Sequence, residues 1–226
     1  MESRKNLINE KNRLRQDILT MATMVEENIG KAIIALRTRN VELAKEVRAD
    51  DSKVDALQIK IEDDTAYIIA TQQPVAGDMR EMLAIFKLTS NIERIGDYAK
   101  HLAKAAKKLA KNKNIPFREQ EHSNLTSLEN MAETGKKMFN SAISAFMTHD
   151  AQAARDAAAM DSIIDAEHKE LILNILVVLK TKPDSIKNAV QILQTANQLE
   201  RLGDHITNIC EAVIYMVESK HEDLNE

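Results

Sequence analysis

Apolar residues recur every three or four positions along most of the chain, which is the spacing of one face of an α-helix. In one stretch, a single heptad-like line, here called the apolar seam, contains Met82, Thr89, Ile92, Gly96 and Ala99. The pattern predicts six long helices, at residues 4–39, 41–73, 78–111, 117–148, 151–181 and 183–219. The longer ones would measure about 50 Å at 1.5 Å per residue, so they must pack side by side.

Capping residues mark several of the breaks between these helices. Asn40 and Asp150 each precede helical sequence, and we predict that their side chains accept hydrogen bonds from the first exposed amides. The turn at residues 74–77 ends at Asp78, which is predicted to cap the third helix in the same way. Residues 112–116 form the longest polar break and divide the chain near its middle.

The two halves of the chain repeat one another. Residues 93–97 (Glu-Arg-Ile-Gly-Asp) return 107 positions later as residues 200–204 (Glu-Arg-Leu-Gly-Asp), and a shift of 110 aligns residues 51–55 with 161–165. An internal repeat of this kind indicates two copies of one helical unit. We therefore predict an all-α fold of two tandem three-helix bundles, built from six long antiparallel helices. The two repeats are predicted at residues 1–113 and 114–226.

Composition favours helices over sheets and narrows the class of protein. The chain has only five glycines, three prolines and 3% aromatic residues, whereas sheets need turn residues at every hairpin and favour aromatic side chains. The single cysteine, Cys210, cannot form a disulfide within the chain. Lys and Arg number 31 against 35 Asp and Glu, for a net charge of −4, so we expect no nucleic-acid partner. No apolar run reaches the roughly 18 residues of a membrane-spanning helix, and the first residues are charged, so the expected location is the cytoplasm.

Acidic residues occur in pairs four positions apart beside the apolar seam. The pairs are Asp51/Asp55, Glu93/Asp97, Asp161/Asp165 and Glu200/Asp204. Like charges at this spacing destabilise a helix by a few tenths of a kcal/mol, so a compensating interaction is expected. Within each repeat the two pairs lie about 20 residues before and after a turn, and they therefore come level in an antiparallel hairpin. Clusters of carboxylate oxygens suit cations such as Mg²⁺, Mn²⁺ or iron, and the sequence predicts a metal site in each repeat.

Other interpretations of these residues stay open. Solvated acidic faces bridged to Arg94 or Lys53 would need no metal, and the basic run over residues 100–113 fits a solvated helix end. Gly96 and Gly203 directly precede an aspartate in each copy and indicate a close approach of two helices. A carboxylate-bridged metalloenzyme would need the clusters sheltered inside a bundle, whereas a metal-free helical scaffold would need only the surface. No catalytic or phosphate-binding motif occurs, so we expect no enzymatic activity and no catalytic residues.

The sequence as a whole resembles one family. Residues 199–211 (Leu-Glu-Arg-Leu-Gly-Asp-His-Ile-Thr-Asn-Ile-Cys-Glu) are similar to the signature of the PhoU family of phosphate-signalling regulators. Residues 91–99 are the counterpart in the first copy, and residues 73–80 match the family's middle turn. The resemblance implies a cytoplasmic, non-catalytic negative regulator, often a homodimer. It also implies that the protein couples the ATPase of the phosphate importer to a sensor histidine kinase, and that it meets the membrane only through these partners.

The same resemblance bears on the metal sites. Some members of the family bind multinuclear clusters of iron or zinc on paired acidic motifs. Carried over to this chain, the ligands are Asp51, Asp55, Glu93, Asp97, Asp161, Asp165, Glu200 and Asp204. The family tends to continue the acidic stripe with Asn and Glu. The second copy keeps Asn208 and Glu211, whereas the first has His101 and Lys104. The first site is therefore less acidic, and equal metal occupancy of the two sites does not follow from the resemblance.

Overall fold

A computed structural model of the protein describes residues 2–111, 118–181 and 186–225. Its helices are α1 Glu2–Thr38, α2 Val41–Gln72, α3 Gly77–Lys111, α4 Arg118–Thr148, α5 Ala151–Ala158, α6 Asp161–Thr181 and α7 Ile186–Glu218. No strand occurs in these ranges, and the predicted all-α fold is confirmed. The predicted bounds agree within a few residues, except in the fifth helix. The polar break at 112–116, the predicted boundary between the repeats at 113/114 and the predicted helix starts at 117 and 183 lie outside the described residues.

Two of the predicted N-caps are present. The side-chain oxygen of Asn40 accepts hydrogen bonds from the backbone amides of Glu42 and Leu43, at 3.0 and 3.1 Å. Asp150 accepts one from the amide of Ala153 at 2.9 Å. Each cap satisfies amides that the first helical turn leaves without a partner, and so fixes where α2 and α5 begin.

The third predicted cap is wrong, because α3 begins one residue earlier, at Gly77. Asp78 instead lies inside the first turn, and its carboxylate pairs with Lys11 of α1. Glu81, only 3% exposed, accepts from Lys11 at 2.8 Å and from Arg15 at 2.6 Å. The start of α3 is therefore held to α1 by charged hydrogen bonds.

The fifth predicted helix is interrupted where the sequence carries no glycine or proline. At Met160 the backbone amide bonds to the carbonyl of Ala157, at 3.1 Å, which is the tighter spacing of a 3₁₀ turn. The hydroxyl of Ser162 also donates to the carbonyl of Ala159, at 2.8 Å. The interruption makes Asp161 the first residue of α6.

The two repeats pack into one body. The first repeat contains α1, α2 and α3, and the second contains α4 to α7. The helices α3 and α7 contact each other, and α1 contacts α4. The buried apolar side chains of both repeats consequently form one continuous core. Across the described ranges, none of the helices combines the length and the apolar character needed to cross a membrane.

Candidate functional site: two carboxylate clusters

The structure brings the four predicted carboxylates of each repeat together between two helices. The first cluster consists of Asp51 and Asp55 of α2 with Glu93 and Asp97 of α3. The second cluster consists of Asp161 and Asp165 of α6 with Glu200 and Asp204 of α7. In each cluster, burial raises the pKa of some of the carboxylates, and repulsion from carboxylates on the facing helix adds to the shift. Both clusters are partly shielded from solvent.

A lysine lies inside the first cluster. The ammonium group of Lys100 donates to Oδ2 of Asp51 on α2 and to Oδ1 of Asp97 on α3, the latter at 2.7 Å. The guanidinium of Arg94 is farther away, at 3.5 Å from Asp97 and 3.7 Å from Glu93, and its side chain is 58% exposed. Lys100 is therefore the main positive charge of this cluster, bridging its two helices.

The pKa shifts in the first cluster show repulsion opposed by this lysine. Burial raises the pKa of Asp55, and Asp51 and Asp97 raise it further, while Lys100 opposes them. Burial also raises the pKa of Glu93, helped by Asp97. Burial alone would lower the pKa of Lys100, but its hydrogen bonds to Asp51 and Asp97 outweigh that effect, and the net pKa is raised. The ammonium group therefore stays charged at neutral pH.

The second cluster has no such internal cation. Among the described residues, the one lysine or arginine in an ion pair with it is Lys169, which lies 3.9 Å from Asp165 and is largely exposed. Arg201 opposes the rise that burial causes in the pKa of Glu200 and of Asp204, but it forms no ion pair with either group among these residues. One oxygen of Asp161, Oδ1, is buried and has no hydrogen-bond partner in the part of the chain that the structure describes. Burial, followed by repulsion from Asp165, Asp204 and Glu200, raises the pKa of Asp161 to about 7. The cluster lacks a positive charge that its first-repeat counterpart possesses.

The two α7 carboxylates of the second cluster are shifted in the same direction. Burial raises the pKa of Glu200, and Asp204 raises it further, against an opposing effect of His168. Burial also raises the pKa of Asp204, with Asp165 adding to the shift. Three of the four groups therefore hold protons more tightly than free carboxylates do. Such a set of acceptor oxygens can take up protons or a cation.

The space around the Cα atom differs between the two seam glycines, Gly96 and Gly203. A Cβ atom on Gly203 would overlap Oδ1 of Asp161 and lie 3.2 Å from its Cγ. A Cβ atom on Gly96 would meet only Val25 and Val54, at 3.4 and 3.7 Å, which is ordinary contact. The close approach predicted from both glycines is thus present at Gly203, where the missing side chain leaves room for the carboxylate of Asp161.

The C-terminal segment forms hydrogen bonds with Asn208 and Glu211, the two polar residues that continue the second acidic stripe. The side-chain amide of Asn225 donates to Asn208 at 3.2 Å, and the backbone amide of Leu224 donates to Glu211 at 2.9 Å. Arg155 of α5 fixes the start of this segment through two hydrogen bonds to Glu218 and two to Glu222. Asn208 and Glu211 therefore hold the C-terminal segment against α7.

Histidines beside the clusters connect the repeats to each other. Nδ1 of His205 donates to Oδ1 of Asn91, at 2.8 Å, and Nδ1 of His101 donates to Oε1 of Gln198, at 2.7 Å. The ring of Tyr98 lies 5.5 Å from that of His205. These contacts form a polar junction between α3 and α7, directly beside Asp97 and Asp204.

The chemistry of the second cluster fits a cation, although its carboxylates are not grouped closely enough to hold one. Within residues 2–111, 118–181 and 186–225, no three Asp, Glu, His or Cys side chains are grouped so that they could hold a metal ion as they stand. The unpartnered oxygen of Asp161 and the mutual repulsion of the four carboxylates are what a bound cation would relieve. A cation would have to draw these side chains inward.

Comparison with known proteins identifies the family that these two repeats define. A family model described as the PhoU domain matches residues 18–106 and, a second time, residues 128–213. Each match falls within one of the two repeats. The chain belongs to the PhoU family.

Individual relatives are similar to the chain over nearly its whole length. The phosphate-specific transport system accessory protein PhoU homolog of Clostridium acetobutylicum is 29% identical over 214 residues, or 94% of each chain. PhoU from Pseudomonas aeruginosa, a crystal structure, has a TM-score of 0.87 and 30% identity, covering 94% of this chain and 99% of that one. The phosphate transport system regulatory protein PhoU from Streptococcus pneumoniae, also a crystal structure, has a TM-score of 0.86 and 29% identity, covering 96% and 99%. The resemblance inferred from the signature residues is confirmed.

The second cluster predicts that the metal-free protein is less stable at pH 8 than near pH 5. The pKa of Asp161 is about 7 in the folded protein against 3.8 for the free group. Between these values the folded state binds more protons than the unfolded state, so the free energy of unfolding falls as the pH rises. Asp161→Asn removes this ionisation. We expect it to raise Tm at pH 8 by about 2–4 °C, corresponding to roughly 1 kcal/mol after solvent screening, and to flatten the pH profile measured by thermal unfolding in EDTA.

The matched control for this experiment is Asp156→Asn, which removes an exposed carboxylate from α5. It should leave Tm and the pH profile close to those of the unsubstituted protein. A lower Tm for Asp161→Asn at pH 8, with the pH profile intact, would contradict the assigned repulsion.

The seam glycines predict opposite responses to alanine. Gly203→Ala should destabilise the protein by roughly 1–3 kcal/mol because the new methyl group overlaps Asp161, whereas Gly96→Ala should be neutral or stabilising by up to about 1 kcal/mol. Urea unfolding in EDTA measures both. Asp161→Ala in the Gly203→Ala background should recover most of the loss, and equal effects of the two glycine substitutions would refute the close approach.

Proposed function

We propose that the protein is a cytoplasmic negative regulator of phosphate uptake and of the phosphate-starvation response. It would act as a helical adaptor between the ATPase of the phosphate importer and a sensor histidine kinase. The observation that carries this proposal is the match, over nearly the whole of both chains, to the pneumococcal protein named a phosphate transport system regulatory protein. The accessory-protein name of the clostridial relative supports the same role.

An adaptor, rather than an enzyme, is supported by the distribution of chemistry in the molecule. The two carboxylate clusters contain no serine, threonine or cysteine nucleophile, and Cys210 is buried in the core. The surface of α6 exposes large apolar side chains, including Leu173 and Leu176 at 64% and 50%, and exposed apolar surface is typical of protein interfaces. Formation of a homodimer belongs to the same proposal, as does contact with the membrane only through the protein partners.

We also propose that the second cluster holds a divalent cation, or a small group of them. Asp161 and Asp165 would bind from α6, and Glu200 and Asp204 from α7. When bound, the cation supplies the positive charge that this cluster lacks. Iron, zinc, manganese and magnesium all suit carboxylate ligands, and their availability decides among them. Because the ligands come from two helices, their occupancy would tie α6 to α7 and make the packing of the second repeat responsive to metal.

The metal proposal predicts that metal content depends on the second cluster. The protein purified without chelator should carry iron, zinc or manganese, and Glu200→Ala/Asp204→Ala should lose most of it, as measured by elemental analysis. Asp156→Asn is the control for loss of a carboxylate elsewhere in the second repeat. Unchanged metal content in Glu200→Ala/Asp204→Ala would contradict the site. Protein free of metal, combined with normal regulation in cells, would favour a metal-free scaffold.

The regulatory proposal predicts a phenotype. Deletion of the gene should derepress phosphate-starvation genes at high phosphate, because the restraint on the kinase is lost, and a plasmid copy should restore repression. Transcript levels of these genes measure the effect. Copurification of the importer ATPase or the kinase with the plasmid-borne protein would identify the partner. Normal repression in the deletion strain would refute the proposal.

A further inference from the structure

The two repeats differ in one side chain that faces each carboxylate cluster. Three residues after the cluster's last aspartate, α3 carries Lys100, and α7 carries Thr207. A spacing of three places the side chain on the same face of the helix as the aspartate. This position is therefore a natural point for a charge that enters one cluster and is absent from the other.

Lys100 lies where the charge of the first cluster needs compensation. Its ammonium group contacts Asp51 on one helix and Asp97 on the other. The group is only 29% exposed, and Asp51 only 12%. An ammonium group has three donors and no acceptor, so two of its donors are satisfied by carboxylates from both sides of the cluster. The contact is a charge-assisted bridge between α2 and α3.

Thr207 leaves the corresponding position of the second cluster without charge. Its side chain is fully buried, and its hydroxyl donates back to the carbonyl of Gly203 in its own helix, at 3.3 Å. Asp161 lies against that same Gly203, and its Oδ1 has no partner. The absence of a lysine thus coincides with the unsatisfied carboxylate.

We propose that Lys100 is the permanent counter-ion of the first cluster and occupies the place of a metal ion there. The first cluster then joins α2 to α3 without a metal ion, and only the second cluster binds metal. The residues of the first cluster accordingly do not fit a resident cation in this chain. Lys100 is a specificity-determining residue, because its identity decides which repeat can bind a cation.

Charge balance explains why the lysine and a metal exclude each other. A divalent cation among Asp51, Asp55, Glu93 and Asp97 would either lie beside an ammonium group, which repels it, or displace that group. Displacement would break two charge-assisted hydrogen bonds and remove a partly buried lysine from the carboxylates that compensate its charge. The charge of the first cluster is therefore compensated by Lys100, whereas the charge of the second cluster is left to protons or a cation.

Lys100→Thr tests this inference, because it gives the first cluster the residue of the second. The matched control is Lys104→Thr, which removes the same charge from an exposed position one turn farther along α3. Full-length proteins are stripped with EDTA, dialysed, and titrated with Zn²⁺ alone or Mn²⁺ alone. Bound metal per chain and Tm are measured for each. Lys100→Met, which keeps most of the side-chain volume, serves if the threonine variant folds poorly.

We expect Lys100→Thr to bind additional metal relative to Lys104→Thr and the unsubstituted protein. Its Tm without metal should be lower, and metal should raise that Tm by about 2 °C or more beyond the rise seen in the control. Asp51→Asn/Asp97→Asn in the Lys100→Thr background should abolish the added binding. Added Zn²⁺ and Mn²⁺ that bind Lys100→Thr and the unsubstituted protein equally would overturn the inference. So would loss of metal from Asp51→Asn/Asp97→Asn when Lys100 is intact.

The number of metal ions bound per chain in this experiment also rests on the proposed metal site of the second repeat. The first-cluster inference and the second-cluster proposal can nevertheless fail separately. If the unsubstituted protein binds no metal, the second-cluster proposal fails. The first-cluster inference is then still decided by whether Lys100→Thr gains metal binding and loses metal-free stability relative to Lys104→Thr.

Discussion

Four carboxylates held at one level between two helices repel one another, and both repeats are built around that constraint. The apolar seam fixes the positions of the acidic residues, because each pair directly flanks residues that must be buried. Helix packing therefore brings the charges together whether or not they are compensated. Burial then raises the pKa of Asp55 and Glu93 in one repeat, and of Asp161, Glu200 and Asp204 in the other. The stability of each hairpin depends on how this repulsion is relieved.

Much of this arrangement could be predicted from sequence because it follows from periodicity. The seam and the repeat of Glu-Arg-x-Gly-Asp placed the helices, the two bundles and the level at which the acidic pairs meet. Asn40 and Asp150 could be recognised as caps because capping needs only a short polar side chain before an apolar-periodic run. These features depend on local spacing, and local spacing is fully present in the sequence.

The remaining features depend on three-dimensional contacts that spacing does not specify. The break at Ala159–Met160 carries no glycine or proline, and it consists of a tightened backbone turn with a hydrogen bond from the Ser162 hydroxyl to the carbonyl of Ala159. Lys100 lies in a basic run that reads equally well as a solvated helix end, and only the packing of α2 against α3 turns it inward. Aligning the two repeats supplies a usable signal, since lysine in one copy stands where the other has threonine. The alignment shows that the two repeats differ at this position. The contacts of Lys100 show that the difference changes the charge within the cluster.

The difference in charge between the two clusters also bears on the contact between the repeats, because both clusters lie beside the junction of α3 and α7. Tyr98 follows Asp97, and His205 follows Asp204, so the junction between α3 and α7 begins one residue from each cluster. Burial lowers the pKa of His205 and Asp204 opposes that shift, so the charge of the second cluster is felt at the junction. On the proposed assignment, Lys100 keeps the charge of the first cluster constant. A cation bound at the second cluster would therefore change the charge on only one side of this junction.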